Sequence, residues 1–98
     1  MAYIQEKEKE IILGILNSYA SDCEVLVFGS RLNGNHKPFS DLDLAFICKC
    51  ELGLDRTSNL EYEFSKSDLP YRVDIVNYQN ASKKFQEIIN ANNEKIFG

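Results

Sequence analysis

Asp41-Leu42-Asp43-Leu44 is the segment of this chain with the clearest chemical potential. Side chains on a β-strand alternate between faces, so Asp41 and Asp43 share one face and Leu42 and Leu44 the other. Two carboxylates about 6–7 Å apart along a strand repel each other unless a cation sits between them. A hard divalent cation such as Mg²⁺ prefers carboxylate oxygen and keeps positions open for phosphate oxygens. A D-x-D pair on its own also fits a solvated strand end, so its meaning depends on what surrounds it. Upstream, Gly29-Ser30 closes an apolar run. Glycine lets the backbone approach a ligand closely, and a serine at the start of a turn or helix offers its hydroxyl and backbone N–H to an anion. Taken alone, that dipeptide fits a plain strand-to-helix turn capped by Ser30. Asp74 sits among apolar neighbours in Arg72-Val73-Asp74-Ile75-Val76. A carboxylate there is costly unless paired, hydrogen-bonded or bound to metal, and Arg72, on the same face, offers a purely structural pairing.

These residues need strands and turns to bring them together. Ile4, Ile11, Ile12, Ile15, Leu16 and Tyr19 recur at helical spacing and predict an amphipathic helix over 3–20, which Gly14 weakens by about 1 kcal/mol relative to Ala. Glu24 to Phe28 reads as a buried strand. Residues 31–40, with Asn33, Gly34, Asn35, Pro38 and Ser40, carry loop chemistry. Asp41 to Cys48 reads as the second strand, and residues 54–66 as a helix with Leu54, Leu60 and Phe64 inward. Pro70 precedes a third strand, Tyr71 to Val76. A last helix starts near Asn80, a good cap residue, and buries Phe85, Ile88 and Ile89. Three helices alternating with three strands predict an α/β (α+β) domain, a small mixed β-sheet with helices packed against it. Ile96 and Phe97 can pack internally or face a second molecule, which leaves room for an oligomer.

The bulk properties bound the answer further. The 98 residues suffice for a single small domain spanning 1–98. No apolar run approaches the roughly 20 residues of a membrane helix, and Met1 to Lys9 lacks the apolar stretch of a signal peptide, so a cytoplasmic protein with no membrane partner is expected. The formal net charge is −4, with eleven basic residues scattered among fifteen acids. That disfavours nucleic acid as a partner, since phosphate affinity depends on clustered Lys and Arg. Cys23, Cys48 and Cys50 form no C-x-x-C pair and lack neighbouring histidines. They read as reduced core or half-buried residues.

Gly29-Ser30-Arg31 followed by Asp41-Leu42-Asp43-Leu44, with ten residues counted from Arg31 through Ser40 before the first aspartate, resembles the signature of the polymerase-beta-like nucleotidyltransferase superfamily. The fuller stretch from Phe28 to Leu44, with Leu69 to Val76 and Phe85 to Ile89, is similar to its minimal nucleotidyltransferase (MNT) branch. The resemblance covers nearly the whole chain beyond the first helix. It implies that Asp41 and Asp43 bind two Mg²⁺ ions (Mn²⁺ being an alternative). It also implies that Asp74 binds the catalytic metal and helps activate an acceptor hydroxyl. Gly29 and Ser30 match the phosphate-holding turn, Arg31 matches a residue able to touch phosphate, and Ser40 matches the position before the first carboxylate. The implied substrate is a nucleoside triphosphate, ATP by preference. The implied acceptor is a tyrosine on a helical HEPN-type toxin, for which the MNT protein is the antitoxin. Two other readings stand beside it: transfer to a small-molecule alcohol with a partner subunit, and a non-catalytic antitoxin that acts by binding alone.

Overall fold

The computed structural model describes residues 2–34, 36–37 and 39–98. Met1, and the loop residues Asn35 and Pro38, lie outside them. The elements run α1 (Glu6–Tyr19), β1 (Cys23–Phe28), α2 (Ser30–Asn33), β2 (Leu42–Cys48), α3 (Leu54–Ser65), β3 (Val73–Asn77), a 3₁₀ turn (Tyr78–Asn80), α4 (Lys83–Ala91) and β4 (Glu94–Phe97). The four strands form one mixed sheet in the order β3-β2-β1-β4. β1 is antiparallel to β2 and to β4, and β2 is parallel to β3. That parallel pair needs a crossover, and α3 supplies it.

Hydrophobic alternation decides which face each helix covers. Leu42, Leu44 and Phe46 of β2 join Val25 and Val27 of β1 and Val73 of β3 on one face, packed against Ile12 and Leu16 of α1 and Leu60 and Phe64 of α3. The other face is smaller. Phe28 and Ala45 meet Ile89 of α4 there, with Val76 and Phe85 packed alongside. Because α4 covers only that part of the face, the start of β2 and β3 is left open.

Several expectations need correction. The first helix begins at Glu6, not at residue 3; Tyr3 is instead tied by its N–H to the Arg31 carbonyl at 2.8 Å. Leu54, expected inward, is 86% exposed because it opens the first turn of α3 beyond the edge of the core. Ile88 is likewise exposed, since only the Phe85–Ile89 side of α4 faces the sheet. The cap of α4 is Ser82, whose hydroxyl accepts from the Phe85 N–H at 3.1 Å; Asn80 ends the preceding 3₁₀ turn. The fourth strand was not anticipated. It packs Ile96 and Phe97, both partly buried, against the main core. Cys23 and Cys48, read as reduced, form a disulfide. The β1–β2 register sets them directly opposite each other, a proximity that sequence spacing could not reveal. Cys50 is free and exposed. Among the described residues no helix is long and apolar enough to cross a membrane.

Candidate active site

The open end of the sheet is where β1 leaves and β2 and β3 begin. Leu42 and Leu44 have no exposed surface. A one-residue slip would expose both and bury the acids, at about 1.5–3 kcal/mol per leucine before any charge is counted. The leucines thereby turn Asp43 onto the partly open face. The parallel register sets Asp43 directly beside Asp74, while the antiparallel register sets it opposite Phe28. Asp41 lies one residue ahead of β2, on the same side.

Gly29 follows Phe28 with φ +83°, a conformation L side chains rarely adopt. A Cβ built there would overlap Asp43 Oδ2 and lie 3.2 Å from Asp43 Cγ. Glycine therefore serves two needs, the turn itself and the seating of the carboxylate against it. Ser30 then starts α2, and its carbonyl accepts from the Gly34 N–H at 3.1 Å. The first N–H groups of a helical turn have no intrahelical partner, so this turn presents donors beside the acids.

The electrostatics of the three aspartates are unbalanced. Burial, then the nearby Asp74 and Asp41 charges, push the Asp43 carboxyl up to about 6, and a side-chain hydrogen bond with Asp74 adds to the effect. Arg72 offsets part of this. Its Nη2 donates to Asp41 Oδ2 at 2.8 Å and its Nε lies 3.3 Å from Asp74 Oδ1. The hydrogen bond to Asp41, followed by the surrounding negative charge, raises the Arg72 pKa further. Three carboxylates on one patch, one of them driven toward protonation by burial and by its charged neighbours, form a donor set that suits a hard divalent cation. Asp41, Asp43 and Asp74 are the residues that could hold it.

Arg31 and Ser40 sit differently. Arg31 is 4% exposed. Its Nε donates to the Ser40 carbonyl at 3.0 Å and its Nη1 to the Tyr3 carbonyl at 3.2 Å, and its guanidinium stacks 3.8 Å over the Tyr71 ring. Tyr71 is fixed in turn by donating to Glu8 Oε1 at 3.0 Å; burial and this carboxylate push its phenol pKa up. Ser40 Oγ accepts from the Lys37 N–H at 2.8 Å. The structure thus brings Gly29, Ser30, Asp41, Asp43 and Asp74 together, and engages Arg31 and Ser40 in holding the loop that delivers Asp41. Sequence reasoning assigned Arg72 only to Asp74 and missed its reach to Asp41. The signal was present in a basic residue on the acids' face, but the parallel strand register was needed to read it.

A cavity of about 440 Å³ opens beside Asp74; its lining is mixed, with apolar Phe64, Leu69 and Val73 beside polar Glu61 and Arg72. Elsewhere, Asp22, Cys23 and Cys48 place ligand-type atoms within 4.8 Å of one another, a tighter set than the three aspartates. Both of those sulfurs are in the disulfide, so that set offers no thiolate to a metal.

Residues 10–98 match the family model described as polymerase beta, nucleotidyltransferase. Over 86 residues the chain is 42% identical to a probable protein adenylyltransferase MntA of Haemophilus influenzae, covering 88% of this chain and 75% of that relative. Among solved structures it resembles a toxin-antitoxin with AMP-PNP, with TM-score 0.79 and 22% identity over 92% of this chain and 73% of that one. It also resembles a tri-AMPylated Shewanella oneidensis HEPN toxin in complex with MNT antitoxin, with TM-score 0.71 and 21% identity over 92% of this chain and 69% of that one. At such identities the structural likeness speaks for the fold, and the sequence relative carries the kinship.

Proposed function

The chain belongs to the polymerase beta nucleotidyltransferase family, and from that premise we propose that it moves AMP from ATP onto a hydroxyl of a HEPN-type partner protein and so acts as that partner's antitoxin. The observation that carries the reading is the convergence of Asp41, Asp43 and Asp74 on one open patch against Gly29. The sequence relative is named for protein adenylylation, and a structural neighbour contains an AMPylated toxin; both support this choice of acceptor over a small alcohol.

In the reaction, the acceptor oxygen attacks the α-phosphorus in line. A new O–P bond forms, the bond from the α-phosphorus to the bridging oxygen breaks, and pyrophosphate leaves. Asp41 and Asp43 bind and orient the nucleotide's cations, and Asp74, nearest the cavity, faces the incoming hydroxyl and draws off its proton. The Gly29-Ser30 turn holds phosphate oxygens with its N–H groups and the Ser30 hydroxyl. Arg31 and Ser40 act at one remove by fixing the loop before Asp41. Divalent cations, Mg²⁺ in the first instance, supply charge stabilisation on the leaving oxygens and a lowered acceptor pKa when bound. Everything else is positioning and preorganised charge.

The test is to incubate the chain with ATP, Mg²⁺ and its HEPN partner and weigh the partner. The reading expects the partner's mass to increase by whole adenylyl groups, and expects Asp41→Asn with Asp43→Asn to abolish the increase. An unmodified partner in the presence of intact nucleotide binding contradicts it, and full neutralisation by the folded double variant would favour action by binding alone.

A further inference from the structure

We propose that Arg72 is an internal competitor for the divalent cation: its guanidinium clamps Asp41 to Asp74 across the ground a cation must take, and swings to the rim when the cation enters. The inference rests on the reading of the three aspartates as the cation site, and adds what the chain itself does about loading that site.

The geometry carries it. Two different nitrogens of one planar fork reach two carboxylates, Nη2 to Asp41 at 2.8 Å and Nε to Asp74 at 3.3 Å. A guanidinium can span two acids in this way, whereas an ammonium acts as a point charge. Little else holds the side chain. It is 73% exposed, and among the described residues the guanidinium has no other hydrogen-bond partner. Its backbone, by contrast, is fixed, with the Arg72 carbonyl accepting from the Leu42 N–H at 2.9 Å. The arm can therefore move while its root stays in register. Exposed ion pairs of this kind contribute only about 0–1 kcal/mol, so displacement by a divalent cation is cheap but not free. Arg72 also lines the cavity beside Asp74, so once displaced it offers its positive charge there to a phosphate oxygen of the nucleotide. Loading of cation and of nucleotide are thereby coupled: the cation frees the arginine, and the nucleotide's phosphates give the arginine a new partner.

The test is Mn²⁺ binding to the full chain, followed by electron paramagnetic resonance, with and without a non-hydrolysable ATP analogue. Without nucleotide, Arg72→Gln should bind Mn²⁺ roughly three- to ten-fold more tightly than the parent, in line with one or two exposed ion pairs removed. Arg72→Lys, which keeps the charge but cannot span both acids, should fall between. With the analogue present the advantage of Arg72→Gln should vanish or reverse. Melting curves establish that each variant folds, and the lysine variant carries the test if the glutamine variant does not. Equal or weaker Mn²⁺ binding by the folded variants without nucleotide overturns the role of Arg72 and leaves the proposed function standing. Absence of Mn²⁺ binding by every form, parent included, overturns both.

Discussion

Two aspartate–arginine contacts in this small domain have opposite characters. At the far end of the sheet, Asp22 accepts from Arg56 Nη2 at 2.6 Å and from the Cys50 N–H at 3.0 Å. The Cys50 backbone bond first, then Arg56, hold its carboxyl below the ordinary range. Arg56 also reaches the Tyr19, Cys50 and Glu51 carbonyls at 3.4–3.5 Å, so the pair ties α1, the β2–α3 loop and α3 together. At the open end, three carboxylates share one exposed arginine, and Asp43 is raised to about 6. A carboxylate matched by donors is structural. Carboxylates crowded beyond what their donors can neutralise suit a cation that comes from outside.

That contrast can be broken first at Asp43. Asp43→Asn should lower nucleotidyl transfer by about three orders of magnitude, roughly 4 kcal/mol of barrier, while Asp22→Asn leaves kcat/KM nearly unchanged; steady-state assays with the partner protein check both. Stability should respond with opposite signs. The folded Asp43 carboxyl keeps a proton up to about 6, against 3.8 for the free group. The stability this provides is present below pH 3.8 and lost as pH rises through about 6. Asp43→Asn, uncharged throughout, should therefore be more stable than the parent above pH 6 and lose that advantage toward pH 4 in thermal melts. Asp22 has a lowered value, so its contribution is present above 3.8 and fades as pH falls through the folded value. An Asp43→Asn variant less stable than the parent at neutral pH would remove the distinction between the two regions.

The next largest effect belongs to Gly29. Gly29→Ala forces an L side chain to positive φ and into the Asp43 carboxylate. It should cost about 1–3 kcal/mol in urea unfolding and disable transfer as well. Asp22→Asn should cost about 1 kcal/mol with activity intact, which sharpens the assignment of that end as scaffold. The smallest effect is a control remote from both acids. Gly14 lies on the exposed side of α1 with nothing within 4 Å of a built Cβ. Gly14→Ala should add about 0.5–1 kcal/mol without touching transfer.

How much of this could be read from the residues alone follows from which interactions are local. The facing of Asp41 and Asp43 is a matter of alternation within one strand, and Leu42 and Leu44 enforce it. The turn at Gly29-Ser30 is equally local. What escaped reading depends on pairing across the sheet. Whether Asp74 lies beside Asp43, whether Cys23 meets Cys48, and whether Arg72 reaches Asp41 are all set by strand register. β4 was missed because Glu94–Phe97 has only two apolar residues, too few for a period, and it earns its place by completing the β1 edge. Arg31 matches a residue able to touch phosphate by resemblance alone, and its burial is not legible from its local sequence, since buried arginines are rare. Here the Tyr3 and Ser40 carbonyls and the Tyr71 ring satisfy it.

The central claim is that the aspartate patch directs attack at the α-phosphorus. The most direct measurement supplies the chain, Mg²⁺ and the proposed HEPN-type partner with ATP labelled on either its α- or its γ-phosphate and follows the label. The account predicts that α-label becomes covalently fixed to the partner while γ-label is released as pyrophosphate. Label from the γ-phosphate on the partner, or none from either position with nucleotide bound, would contradict it.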